Sequence, residues 1–223
     1  MALLEIKGIS KSFGENEIIR DTSFVVEGGD TMAFVSPSGS GKSTMLSMAG
    51  LLLTPDSGEI IVAKERINAL ELGDKDLSYL RQQLFGFVFQ STQLIGSLRA
   101  IENVTAPCGF AGKLDFDPEQ RAKELLERFG LTDRMYHYPH QLSVGQKRRV
   151  AVARAMILNP KIIIADEPTN DLDEESAATV ADALFDYADD EHALLYATHL
   201  PALADRAKIV MELNDHVFEK RQQ

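Results

Sequence analysis

Short apolar runs alternate with amphipathic helical stretches along this chain. Thr22–Glu27 reads as a strand, Gly28-Gly29-Asp30 as a turn, and Thr31–Val35 as a buried strand. A helix is expected from near Ser43, and another strand at Phe85–Phe89. Pro118–Phe129 predicts a helix, with proline near its start and Gly130 as its stop. Gly145–Leu158 predicts a second helix, which Asn159-Pro160 ends. Ile162–Ala165 and Leu194–Ala197 are short and densely apolar, as strands are in a parallel sheet covered on both faces. The acidic amphipathic stretch Glu174–Tyr187 between them predicts a helix. This order of elements is that of an α/β domain. The middle, about residues 92–158, is mostly helical and is expected to form a separate lobe of one domain spanning 1–223.

Composition narrows the picture. The chain has 223 residues, 44% of them hydrophobic, enough for a real core. No apolar run approaches the about 20 residues of a membrane span, so direct membrane insertion is not expected. Met1–Ile6 carries no basic leader or long apolar stretch, so no signal peptide is expected. Cys108 is the only cysteine, which excludes an intrachain disulfide and fits a reducing compartment. It has no motif partner and reads as inert. The net charge is −11, which argues against nucleic acid and against an anionic membrane surface. Lys147-Arg148-Arg149 is the one compact basic run and reads as a solvated helix face.

The chemistry begins after the strand Thr31–Val35. There the chain reads Ser36-Pro37-Ser38-Gly39-Ser40-Gly41-Lys42-Ser43-Thr44. Strand, glycine-rich loop, Lys-Ser and helix is the context of a phosphate-binding P-loop. Glycines let backbone N–H groups point at an anion, and the helix adds its N-terminal partial charge. Lys42 supplies charge for the β and γ phosphates, and the Ser43 hydroxyl is a ligand for Mg²⁺. The usual pattern has glycine where this chain has Ser36. A side chain there costs about 1–2 kcal/mol if φ is positive and little if φ is negative. The phosphate-facing amides begin at Ser38, so nucleotide binding is expected to survive.

A second motif follows Ile162–Ala165, where the strand ends in Asp166-Glu167-Pro168-Thr169. Ligands of open parallel sheets bind at such strand ends. Asp166 there can hold Mg²⁺ through water, and Glu167 can polarise an attacking water. His137 and His140 are spaced like metal ligands but lack a second pair. Asp171–Glu175 is acidic without the glycine of a calcium loop.

With these motifs in this order, the chain resembles the nucleotide-binding domains of ABC transporters over essentially its full length. Leu142-Ser143-Val144-Gly145-Gln146 resembles the family signature Leu-Ser-Gly-Gly-Gln, with Val144 as a departure. The resemblance implies a P-loop core with an antiparallel β subdomain and an inserted helical lobe. It implies that Phe13 stacks on adenine and that Gln90 senses Mg²⁺ and water. It places Asp173, in Asn170-Asp171-Leu172-Asp173, at a dimer interface, and His199 as the switch histidine beside the γ-phosphate. Ser143 and the amides around Gly145, with Gln146, would face the γ-phosphate held by a second copy, because a helix start is an anion site.

The implied machine is a homodimer around two MgATP, driving a separate integral membrane permease from the cytoplasmic face. Two chains of −11 each repel, and screening over about 8 Å relieves this only in part. A monomer is therefore expected without nucleotide. Leu80-Arg81, Phe85–Gln90 and Glu102-Asn103-Val104 resemble the branch of lipoprotein-release, macrolide, antimicrobial-peptide and haem exporters. Leu94, Ile95 and Leu98 are expected near the groove for a permease coupling helix, or in the lobe core. A regulator of an extracytoplasmic enzyme is the alternative. A translation factor would carry two nucleotide domains, and a chromosome ATPase a heptad insertion that residues 91–141 lack.

Overall fold

The computed structural model describes residues 2–37, 39–62 and 67–221. Strands β1 (Ala2–Phe13) and β2 (Asn16–Glu27) form a hairpin, turned tightly where Gly14 takes φ +63°. After β3 (Thr31–Val35) and α1 (Lys42–Ala49) come β4 (Ser57–Val62) and β5 (Ile67–Asn68). These complete a four-stranded antiparallel sheet in the order β2-β1-β4-β5. Alternate residues of β2, namely Thr22, Phe24 and Val26, are buried while their neighbours are exposed. That is the pattern of a sheet with one covered face.

The chain continues through α2 (Asp74–Leu84), β6 (Phe85–Val88), α3 (Ala100–Thr105), α4 (Pro118–Arg128) and α5 (Val144–Met156). It then runs through β7 (Ile162–Asp166), α6 (Glu174–Phe185), β8 (Ala193–Thr198), α7 (Pro201–Ala204), β9 (Ile209–Asn214) and β10 (Val217–Lys220). The second sheet has six strands in the order β10-β9-β3-β8-β7-β6, parallel except for β10.

Successive side chains of a strand face opposite ways, and β7 divides its isoleucines accordingly. Ile162 and Ile164 join the core between the two sheets, with Phe34, Met45 and Ile60. Ile163 and Ala165 join the core on the other face, with Val104, Leu126, Val150 and Val180 from the helices. Each such side chain contributes about 1.5–3 kcal/mol by leaving water. The sheet is thus held from both sides, and the C-terminal ends of β3, β6, β7 and β8 share one edge.

The expected elements are present with shifted ends: β2 starts earlier than Thr22, β6 stops at Val88, and α6 stops at Phe185. The hairpin β9–β10 is the element hardest to see. Its turn needs positive φ at both central residues, normally supplied by Asn-Gly. Here Asp215 and His216 supply it, at +45° and +68°.

Candidate functional site

The loop after β3 turns on Gly39 and Gly41, whose φ values are +79° and +120°. A Cβ on Gly41 would lie 2.8 Å from Ile18 and 3.0 Å from Ile19 of β2. Glycine is required twice over there, by conformation and by space. Ser38 lies outside the described residues. Ser36 does not share the positive φ of the glycines, so its side chain carries no backbone strain. Its hydroxyl accepts from the Ser40 hydroxyl, and its carbonyl accepts from Lys42 Nζ at 2.8 Å. Among the described residues no side chain caps α1, whose first residues are Lys42, Ser43 and Thr44. Its leading N–H groups therefore remain available to an anion.

Lys42 is buried, and Nζ lies 3.7 Å from Glu167 Oε1. The other oxygen of Glu167 lies 2.9 Å from His199 Nδ1. Glu167 thus bridges a lysine from one strand end and a histidine from another. It sits at φ +47°, rare for a residue with a side chain, with its N–H donating to Ala197 O at 3.1 Å. The Thr198 hydroxyl accepts from Leu200 N at 3.0 Å and fixes the turn that presents His199.

Asp166 ends β7 beside them. Burial raises its carboxyl above the usual range, opposed by a hydrogen bond from Ser43 and by the charges of Lys42 and Arg148. Its Oδ1 is buried with no partner among the described residues. A hard oxygen donor with an orphaned lone pair next to a serine hydroxyl fits a hydrated Mg²⁺. Gln90 follows β6 and is exposed.

The remaining candidates lie elsewhere. Ser143 caps α5: its hydroxyl accepts from Gln146 N at 3.2 Å, and Gln146 Oε1 accepts from Ser143 N at 2.9 Å. The serine still has its own proton to donate. A Cβ on Gly145 would lie 2.4 Å from Ser176 Oγ, so α5 and α6 meet closely at their N-terminal ends. Asp173 caps α6 by accepting from Ser176 N at 2.9 Å, which holds its carboxyl below the usual range. Among the described residues, no hydrogen bond or ion pair joins Ser143, Gly145 or Gln146 to Lys42, Ser43 or Glu167. Phe13 stands 52% exposed at the hairpin tip, with Lys11 Nζ 5.7 Å from its ring centre. It is not a core residue.

One expectation needs correction. The basic run is no solvated face: Arg148 is 3% exposed, and Arg149 donates to Phe129 O at 2.9 Å. Both guanidiniums turn inward to carbonyls that no helix or sheet satisfies, and spacing along the chain gave no sign of that. Leu94 packs on the helical core, the second of the two positions expected for it, and Ile95 is exposed. A groove of about 390 Å³ lies among Leu52, Arg81, Phe87, Phe89, Gln93 and Arg154. Asn103 was legible only as a branch mark. It is fully buried and binds Ile95 N, Ile95 O, Leu98 O and Arg99 O, so it shapes that loop.

A glycine-rich loop between strand and helix, faced by an acidic strand end, defines a P-loop NTPase. The chain belongs to the ABC transporter family, whose model matches residues 19–170, and it is an ATP-binding ABC ATPase domain. It is 41% identical over 218 residues to the macrolide export ATP-binding/permease protein MacB of Photorhabdus laumondii subsp. laumondii. It is 42% identical over 218 residues to the pyoverdine export ATP-binding/permease protein PvdT of Pseudomonas syringae pv. tomato. Each match covers 96% of the chain and 33% of the relative, so the chain spans about a third of those proteins' length. A dimeric, post-hydrolysis structure of the ATP-binding cassette MJ0796 bound to ADP and Pi matches with a TM-score of 0.88. That match is 32% identical and covers 98% of both chains. Among the described residues, no helix is long and apolar enough to cross a membrane.

Proposed function

We propose that two copies of this chain close head to tail around two ATP molecules and drive an export permease carried by a separate chain. The observation that carries this reading is the division of labour within one copy. Lys42, Glu167 and His199 form one connected group, while the capped start of α5 holds its donors apart from that group. Each site then takes Lys42, Ser43, Gln90, Asp166, Glu167 and His199 from one chain, with Phe13 stacked on adenine. It takes Ser143, Gly145 and Gln146 from the other, with Asp173 at the shared interface. The domain is read as one unit, with residues 92–158 as the lobe bearing the signature.

Glu167 accepts the proton of the attacking water, a general-base role. His199, held through Nδ1 by Glu167, is the group placed beside the γ-phosphate. Lys42 compensates charge that develops on the phosphates. Asp166, Ser43 and Gln90 would hold Mg²⁺, which when bound supplies Lewis-acid charge neutralisation. Export is supported by the names of the relatives, and the groove beside Phe87 and Phe89 is the surface proposed for the permease. On this reading the chain works at the inner face of the membrane.

A pull-down from detergent-solubilised membranes with Glu167→Gln and MgATP tests the reading. A stoichiometric integral membrane partner is expected. Recovery of a cell-wall enzyme complex on that partner would favour the regulatory alternative. Recovery of no membrane protein would remove the transport claim. Light scattering of the free chain is expected to give a monomer without nucleotide, and a stable nucleotide-free dimer would contradict the role of ATP as the bridge.

A further inference from the structure

Residues 89–93 leave β6 and lead toward α3 without regular secondary structure. Their carbonyls therefore need partners from elsewhere. Arg148 Nη1 donates to Phe89 O and its Nη2 to Gln90 O, both at 2.7 Å. Arg154, on the same helix α5, donates to Gln93 O at 2.8 Å and to Thr92 O at 2.9 Å. Two guanidinium forks thus hold four of the five consecutive carbonyls. Gln93 takes φ +44°, a conformation that a free loop would leave.

Arg148 is the more demanding of the pair. It is 3% exposed, makes no ion pair among the described residues, and has an orphaned Nε. Burial lowers its pKa, and Asp171 and Asp166 are the acids whose charges reach it. A buried cation directed at neutral carbonyls is a costly way to fill space. It is a good way to fix two consecutive peptide planes, because a planar fork sets direction as well as distance.

We infer that Arg148 and Arg154 are positioning residues for Gln90, coupling the helix that bears Ser143, Gly145 and Gln146 to the loop that carries that glutamine. Movement of α5 against a second nucleotide then moves the Gln90 backbone with it. The inference rests on the proposed role of Gln90 in the ATP site.

Arg148→Lys keeps the charge but loses the planar fork that fixes both carbonyls in direction. In the full chain, kcat for MgATP is expected to fall about tenfold or more, since a displacement of about 1 Å costs about 10²-fold. Half-saturating Mg²⁺ is expected to rise, with the Kd for metal-free ATP within about twofold of the starting protein, because Lys42 and the P-loop are untouched. Adding Arg148→Lys to Gln90→Ala is expected to lower kcat no further, as for groups acting through one another. Unchanged kcat and Mg²⁺ dependence in Arg148→Lys, with only a lower Tm, would reduce the fork to a structural role and overturn the inference. Independent, multiplying losses in the double variant would overturn it as well. If Gln90→Ala alone changes neither quantity, the assignment of Gln90 fails first. If Gln90→Ala impairs both and Arg148→Lys neither, only the coupling fails. Should Arg148→Lys not fold, Arg154→Lys carries the same test at the other end of the loop.

Discussion

At the end of β7, Glu167 contacts both Lys42, at the start of α1, and His199, just past β8. At the start of α5, Ser143 and Gln146 close a capping box on themselves, and Val144 beside them is 55% exposed. The first region buries charge, so it must find its partners inside the chain. The second is neutral and locally satisfied, so it can face outward and stay rigid. In the proposed dimer the charged group and the helix donors would complement each other, and among the described residues no hydrogen bond or ion pair joins them within one copy. The cost of the first is visible in Glu167, held at φ +47° by the structure around it.

The largest expected effect breaks the charged half alone. Glu167→Gln should lower phosphate release by about 10²–10⁴-fold, or about 3–5 kcal/mol of barrier. ATP should still bind, and full turnover would remove Glu167 as the base. On the signature side, Gly145→Ala places a Cβ 2.4 Å from Ser176 Oγ and 2.9 Å from Ser176 Cβ. Such overpacking costs about 1–3 kcal/mol, and each kcal/mol lowers Tm by about 2–4 °C in a chain of this size. An unchanged Tm would show that α5 and α6 are not wedged together.

Asp173→Ala should have a smaller, pH-dependent effect. The helix amide of Ser176 stabilises the ionised carboxylate, so its folded pKa lies below the ordinary 3.8. The unfolded chain then binds the proton more readily, and the stabilisation is fully present above 3.8. It is lost as pH falls through the lower folded value. Melts of the two proteins should therefore differ at neutral pH and converge below 3.8. Asp173→Asn, which keeps an accepting oxygen, should track the starting protein at neutral pH. A gap that persisted in acid would assign Asp173 a role other than its charge. The smallest effect is expected for Ser36→Gly. Without strain to relieve, ATP affinity should stay the same or weaken by up to about 0.5 kcal/mol, as titration calorimetry can measure. Tighter binding would show strain after all.

Much of this was legible because the informative groups are close along the chain. The P-loop, the acidic strand end and the signature each lie within a few residues, so each is recognisable without the fold. β7 and β8 were legible because a strand covered on both faces must be apolar throughout. The β9–β10 hairpin was hidden because Asp215 and His216 do the work of an Asn-Gly turn.

Long-range pairing was not legible. Lys147-Arg148-Arg149 looked like any solvated run, because nothing in those letters tells which carbonyls need a donor. Arg148 meets Phe89 and Gln90 across 59 and 58 residues of chain. The same holds for Glu167, whose lysine and histidine arrive from the start of α1 and the turn after β8 only after the sheet has assembled. By itself, then, the sequence determined the phosphate loop, the acidic pair, the strand–helix order and the family. The tertiary structure decided which buried charges meet and which helix end stays open. The physical reason is that turns, caps and periodicity act between near neighbours, whereas the partner of a buried charge is chosen by packing across the whole fold.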